Sequence, residues 1–292
     1  MAGRAFIGCQ GWAHPPWVGR FFTRDARRED FLPQYASVFP TAEGNATFYG
    51  LPAAETVRRW GAEAPAHFRF AFKFPRAISH ERRLAGAERE TAEFLARVAP
   101  LGERLGPFFL QVHQSFRGAD LPVLARYLAK LPREFSYAVE VRAPEFFDDS
   151  ASERALDDLL QARGCERVVF DTRALFASKV DDEFAREARR KKPRVPVKVK
   201  ALGPRPFVRV AGDPDIAQNR AGLTEWARQV AGWIVEGRAP WFFLHHADDT
   251  YTPHLARLFQ ELLHAQSPDV PPPPVWPVER ERAARPEQLG LF

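Results

Sequence analysis

Pro107-Phe-Phe-Leu-Gln-Val112, Leu121-Pro-Val-Leu-Ala-Arg-Tyr-Leu-Ala-Lys130 and Ser136-Tyr-Ala-Val-Glu-Val141 follow one another along the chain, and their patterns decide the fold. The first and third are short apolar runs suited to strands buried on both faces. The middle one is a helical segment of the kind whose apolar residues recur three to four apart, giving one buried face. The alternation continues in both directions. Strands are predicted over residues 4–8, 41–45, 68–72, 107–112, 136–141, 167–170, 207–210 and 241–245. Helical periodicity falls at 53–64, 88–104, 121–130, 152–163, 224–236 and 253–265. Eight strands with intervening helices predict a single α/β domain, a parallel (β/α)8 TIM-type barrel. A doubly wound open sheet is the runner-up.

The chain has 292 residues, 45% of them hydrophobic and 13% aromatic, which suits one barrel-sized domain with a large core. That domain is expected over residues 1–266. From Ser267 onward the prolines 271–274 and the charged Glu279-Arg-Glu-Arg282 predict a flexible, extended tail over residues 267–292. A second irregularity spans residues 186–205, strongly basic and interrupted by prolines, which predicts a crossover loop in place of a regular helix. No run approaches the roughly 18 apolar residues that cross a bilayer, so no membrane association is expected. Cys9 and Cys165 are far apart in sequence and form neither a disulfide framework nor a zinc motif, which fits a cytoplasmic location. Lys and Arg number 42 against 37 Asp and Glu, a formal charge of +5. That surplus favours polyanionic partners such as DNA or phosphorylated compounds.

Polar residues interrupt the strands at their C-terminal ends, where the loops of a barrel converge on one mouth. Side chains two apart share a strand face, so Glu43 with Asn45, Gln111 with His113, and Glu140 with Arg142 form pairs. Lys73, Asp171, Arg209 and His245 fall at similar ends. Two readings follow. The residues are either a plug of mutual ion pairs, such as Lys73 with Glu140 and Arg142 with Asp171, or a ligand site. In the second reading Glu140 and Lys73 carry acid–base work, since a carboxylate and an amine enclosed together tune each other's proton affinity; Asp171 and His113 join them as catalytic candidates. Trp12, Glu43, Asn45, Tyr49, Gln111, Arg142, Arg209 and His245 are the candidate substrate contacts. Glu43, His113, Glu140, Asp171 and His245 are also ligand types that suit a divalent metal. The aromatic loop after the first strand, residues 11–22, either stacks on a nucleobase or sugar or caps the barrel.

Gly8-Cys-Gln-Gly11-Trp12, Glu43-Gly-Asn45-Ala-Thr47-Phe48-Tyr49, Phe70-Ala-Phe-Lys73-Phe-Pro75-Arg76, Leu101-Gly-Glu-Arg-Leu-Gly106-Pro107 and Tyr137-Ala-Val-Glu140-Val-Arg142 together resemble the domain-of-unknown-function 72 family, also called YecE-like. The resemblance runs over residues 4–265. It implies a TIM barrel with a polar pocket and carries no activity with it. The sequence departs from many members in having Gln111-Val-His113-Gln114 where they have Gln-Leu-Pro-Pro, and His245-His246 where they have Asn-Asn.

The last five residues, Gln288-Leu289-Gly290-Leu291-Phe292, resemble the pentapeptide by which bacterial replication and repair proteins dock onto the sliding clamp. Leu289, Leu291 and Phe292 offer apolar anchors and Gln288 an amide; the alternative is a tail that folds back on the barrel. Three functional classes stay open: a clamp-tethered, hydrolytic, nuclease-like enzyme acting on DNA; an enzyme for a small polar or phosphorylated metabolite; and a non-catalytic adaptor between nucleic acid and clamp. Pull-down of a bacterial sliding clamp by the full chain is expected to disappear on deletion of residues 288–292. Equal recovery by the truncated chain removes the tether.

Overall fold

The computed structural model describes residues 4–284. Its eight strands are β1 Phe6–Cys9, β2 Thr41–Gly44, β3 Arg69–Phe72, β4 Phe108–Gln111, β5 Tyr137–Glu140, β6 Glu166–Asp171, β7 Phe207–Ala211 and β8 Trp241–His245. All pairings are parallel, in the order β3-β2-β1-β8-β7-β6-β5-β4. The two ends of that order meet. Isolated bridges pair Phe70 with Leu105 and Lys73 with Phe109, and the Phe74 N–H donates to the Phe109 carbonyl at 3.0 Å. The sheet is thus a nearly closed (β/α)8 barrel, and the seam between β3 and β4 overturns the open-sheet alternative.

Alternation along the strands builds the two cores. Ala71, Phe109, Ala138, Val168, Phe207, Trp241 and Phe243 fill the barrel interior. Their neighbours Phe70, Leu110, Val139, Val169, Val208 and Leu244 face outward into the larger core beneath the helices. Phe6 stacks on Trp241 with ring centroids 4.2 Å apart. Gly106 is dictated by this packing, because a Cβ there would lie 2.5 Å from the Trp241 ring and 3.1 Å from the Phe70 carbonyl oxygen.

The helices are α1 Phe31–Ala36, α2 Ala46–Tyr49, α3 Ala54–Glu63, α4 Glu88–Val98, α5 Leu121–Lys130, α6 Ala151–Ala162, α7 Arg173–Ala177, α8 Glu183–Lys191, α9 Arg220–Val235, α10 Thr252–Gln266 and α11 Pro277–Ala284. Helix α6 shows the local logic: Ser150 caps it by accepting the Glu153 N–H, and Leu156 and Leu160 make its buried face. Arg167, facing outward from β6 and fully buried, donates to Glu153 at 3.2 Å and Asp157 at 2.7 Å. Lys200 donates to Glu153 as well, at 2.8 Å.

Two expectations need correction. The basic stretch 186–205 is not all loop: its first six residues lie in α8, which Asp182 caps by accepting the Ala185 N–H at 2.7 Å, and only the proline-bearing remainder is irregular. The segment from Ser267 to Ala284 does not run free of the barrel either: residues 271–276 are irregular, but 277–284 form α11 and the junction between them is docked. Trp276 packs edge-on against Phe21 at 5.2 Å, the Arg257 guanidinium lies 4.8 Å from the Trp276 ring, and Glu279 accepts the Trp276 N–H at 2.9 Å. That aromatic anchor, with the ion pair between Arg257 and Glu279, outweighs the proline-rich composition around it. Gln288, Leu289, Leu291 and Phe292 lie outside the described residues. No helix among the described residues is long and apolar enough to cross a membrane.

Gly106→Ala is expected to cost about 1–3 kcal/mol through this overpacking, read as a lower urea midpoint at unchanged slope. An unchanged midpoint would show that the Trp241 ring moves aside freely.

Candidate active site at the barrel mouth

Strand parity carries a ring of polar side chains from the apolar interior to the C-terminal mouth. Arg209 on β7 stands at its centre, with its guanidinium 4.9 Å from the Phe109 ring and 4.6 Å from that of Phe170. Nε and Nη2 donate to the two oxygens of Glu43 at 2.8 and 2.7 Å, and Nη1 donates to Glu140. Glu140 also accepts from Arg142 Nε at 2.7 Å. Glu43 accepts from Asn45 Nδ2 at 2.6 Å and lies 3.3 Å from His245 Nε2, while His245 Nδ1 is hydrogen-bonded to Gln10. Both carboxylates are wholly buried. Burial alone would raise their proton affinity. The guanidiniums override it, holding Glu43 well below the usual carboxylate range and Glu140 down at about 2.

Lys73 is the cation left over. Its Nζ donates to Gln111 Oε1 at 2.7 Å, an oxygen that also accepts from Arg142 Nη2 at 3.0 Å. The Phe48 ring lies 4.0 Å away. Among the described residues no carboxylate is in ion-pair contact with it, and it is only 9% exposed. Burial, followed by the charge of Arg209, pushes the amine from its ordinary 10.5 down to about 7; Glu140 pulls the other way and Arg142 adds to the lowering. His245 is pushed down to about 4, chiefly by burial.

Above this floor opens a cavity of about 720 Å³, within the range that encloses a small-molecule ligand. Lys73, Arg76, His80, His113 and Arg142 line one side of its chemistry, and Gln10, Lys192, His245 and Asp249 supply the rest. Burial and the neighbouring Lys73 push His80 down to about 4, and burial with Arg209 brings Lys192 down to about 8. Burial raises Asp249, which accepts a hydrogen bond from Gln10. Tyr49 and Phe184 also line the cavity, 82% and 55% exposed respectively.

Eight sequence candidates therefore gather in one network: Glu43, Asn45, Lys73, Gln111, Glu140, Arg142, Arg209 and His245. His113 and Tyr49 lie on the cavity walls. Two do not join. Asp171 accepts from Trp226 Nε1 at 2.8 Å and from Arg173, because it lies one residue beyond inward-facing Phe170 and so faces the helical layer. Trp12 is buried between Trp60 and Phe70, at ring distances of 5.2 and 5.3 Å. The expected ion pairs are redrawn as well. Lys73 bonds Gln111 rather than Glu140, and Arg142 bonds Glu140 rather than Asp171. The expected metal donors do not converge, since Arg209 occupies Glu43 and Glu140 while Asp171 points away. Among the described residues no three His, Cys, Asp or Glu groups are placed to hold an ion. Sequence reasoning missed Gln10, His80, Lys192 and Asp249 as cavity residues. Gln10, one position past β1, was detectable by the strand-end rule; the others sit in turns and irregular chain that carry no periodic signal.

The chain matches the family model described as "Protein of unknown function DUF72" over residues 6–279. It is 38% identical over 287 residues to the UPF0759 protein YecE of Escherichia coli strain K12, covering 98% of this chain and 99% of that protein. The YecE protein of Escherichia coli O157:H7 matches to the same extent. Among solved structures, a DUF72 family protein from Enterococcus faecalis V583 superposes with a TM-score of 0.65 at 18% identity, covering 90% of this chain and 98% of that one. One from Thermotoga maritima MSB8 gives 0.65 at 19% identity, covering 89% and 99%. At such identities these two likenesses speak for the fold alone.

The buried amine sets a pH dependence of stability. Below pH 7 Lys73 is charged in both the folded and unfolded states, and its burial cost is fully present. Between about 7 and 10.5 the unfolded chain holds a proton that the folded one has released, so this group's contribution to stability rises with pH. Lys73→Met is expected to raise the melting temperature most near pH 6, with a gain that shrinks steadily toward pH 9.5. A gain independent of pH would show that the amine titrates normally.

Proposed function

Because the chain belongs to the DUF72 family, whose description carries no activity, we propose from the mouth itself that the protein is an enzyme for a small metabolite bearing a phosphate or carboxylate group. One observation carries the reading. Arg209 and Arg142 already neutralise Glu43 and Glu140, so the buried Lys73 faces an open cavity with, among the described residues, no carboxylate in ion-pair contact with it. An anionic ligand supplies that missing charge, and Arg76, Arg142 and Lys192 line the same space. Lys73, close to half-deprotonated at neutral pH, is the group suited to exchange protons with the ligand. Glu140, held ionised beneath two guanidiniums, serves to fix Arg142 and Arg209 rather than to act as an acid.

A second reading, clamp-tethered action on DNA, is favoured by the cations of α8. Arg186, Arg189, Arg190 and Lys191 share that helix with exposed Phe184, and among the described residues their ion pairs are with Asp181 and Glu187. Such a surface suits a phosphate backbone, with an extruded nucleotide in the cavity. Hydrolysis through Asp171 is not part of it, because that side chain is committed to Trp226 and Arg173.

Calorimetric titration separates the readings. Small phosphorylated or carboxylated compounds are expected to bind wild type with proton uptake near pH 7.5, and Lys73→Met is expected to lose about tenfold or more in affinity, worth about 1.4 kcal/mol. Equal affinity in the variant overturns the first reading. An oligonucleotide affinity that barely changes with salt overturns the second.

A further inference from the structure

Resting on the anionic-ligand reading, we infer that Lys73 forms an imine with a carbonyl compound that carries the anionic group. The geometry selects this amine. It projects from the position immediately after β3, so the barrel wall fixes its root, and its backbone pairs with Phe109 across the seam. Gln111 Oε1 holds Nζ at 2.7 Å by a single hydrogen bond, an acceptor that releases the amine without leaving a carboxylate stripped of its counter-ion. The Phe48 face closes one side, and the rest opens to a cavity of about 720 Å³.

The groups facing Lys73 come from each neighbouring element: Glu43 on β2, Gln111 on β4, Glu140 and Arg142 at the end of β5, Arg209 on β7 and His80 in the turn after β3. Both carboxylates are engaged by arginine, so the ammonium gains little from them. An amine near 7 is about half free base at neutral pH, where an ordinary lysine is free base in only about one molecule in 3,000. Desolvated lysines of this kind are the ones that add to carbonyls. The nitrogen lone pair adds to the carbonyl carbon while the carbonyl oxygen takes up a proton. The nitrogen then gives up its protons as the hydroxyl departs, forming C=N and releasing one water in all. Addition of water reverses the step. Arg76, Arg142 and Lys192 are the cations that hold the anionic end meanwhile.

The test uses the full chain with pyridoxal 5′-phosphate, an aldehyde and a phosphate in one molecule, followed by borohydride reduction and peptide mass spectrometry. At pH 7 the reduced adduct is expected on Lys73, forming about 100-fold faster than on exposed Lys130, with its half-maximal rate near pH 7. Inorganic phosphate is expected to slow it. Lys73→Arg, checked by its melting curve, is expected to lose the adduct without transferring it to Lys192. Labelling spread over exposed lysines, or concentrated on Lys192, overturns the inference. If calorimetry shows phosphate binding while Lys73 stays unlabelled, the imine fails and the anion site stands. No phosphate binding and no Lys73 adduct would remove both. Labelling of Lys73 that phosphate does not slow keeps the amine and removes the anionic group from the substrate.

Discussion

Taking a guanidinium out of water between two phenyl rings is tolerable only when ionised partners are held at fixed geometry around it. Arg209 has two such partners, from strands on different sides of the barrel, Glu43 on β2 and Glu140 on β5. The three side chains tie β2, β5 and β7 together across the interior, where the apolar layers below offer only dispersion contacts. Removing one member of such a buried set costs about 3–5 kcal/mol, because the others stay behind uncompensated. Everything else at the mouth follows from this arrangement. Both carboxylates are spoken for, Arg142 is drawn onto Glu140, and Lys73 is left to an amide oxygen and an aromatic ring.

The sequence made the barrel readable because eight apolar runs, buried on both faces, punctuate it with helical periodicity between them. It also made most of the mouth readable, since a charged residue at the end of an apolar strand has few places to go. Parity was the missing quantity. Arg167, Phe170 and Asp171 all belong to β6, yet only Phe170 points inward, and nothing in the run Arg-Val-Val-Phe-Asp says which alternate residues do. Trp12 was misplaced for a related reason, because an aromatic beside a mouth packs as readily under a helix as over a ligand. The partner choice among charges was beyond sequence altogether: Arg209 is long enough to reach both glutamates, and that reach displaces the shorter-range pairing of Lys73 with Glu140. Trp276 shows how a single aromatic can anchor a segment whose composition argues for an extended chain.

The resulting pocket is asymmetric in chemistry. Arg76, His80, His113 and Arg142 bring cationic or imidazole groups near Lys73, while Gln10, Asp249 and His245 form a linked set of amide, carboxyl and imidazole groups. Cations line the space at both ends, since Lys192 lies near Asp249 and His245, but the Asp249 carboxyl lines it only at that second end.

The seam between β3 and β4 gives the ring an uneven stiffness. Seven strand interfaces carry regular ladders, whereas this one is held by two isolated bridges and the hydrogen bonds around them. Local openings follow the fewest bonds to be broken, so the joint that parts first is the one bearing Lys73. Warmth or mild denaturant would then loosen Lys73 from Gln111 and Phe48 while the other ladders still hold, so the mouth would lose its geometry before the barrel loses its shape.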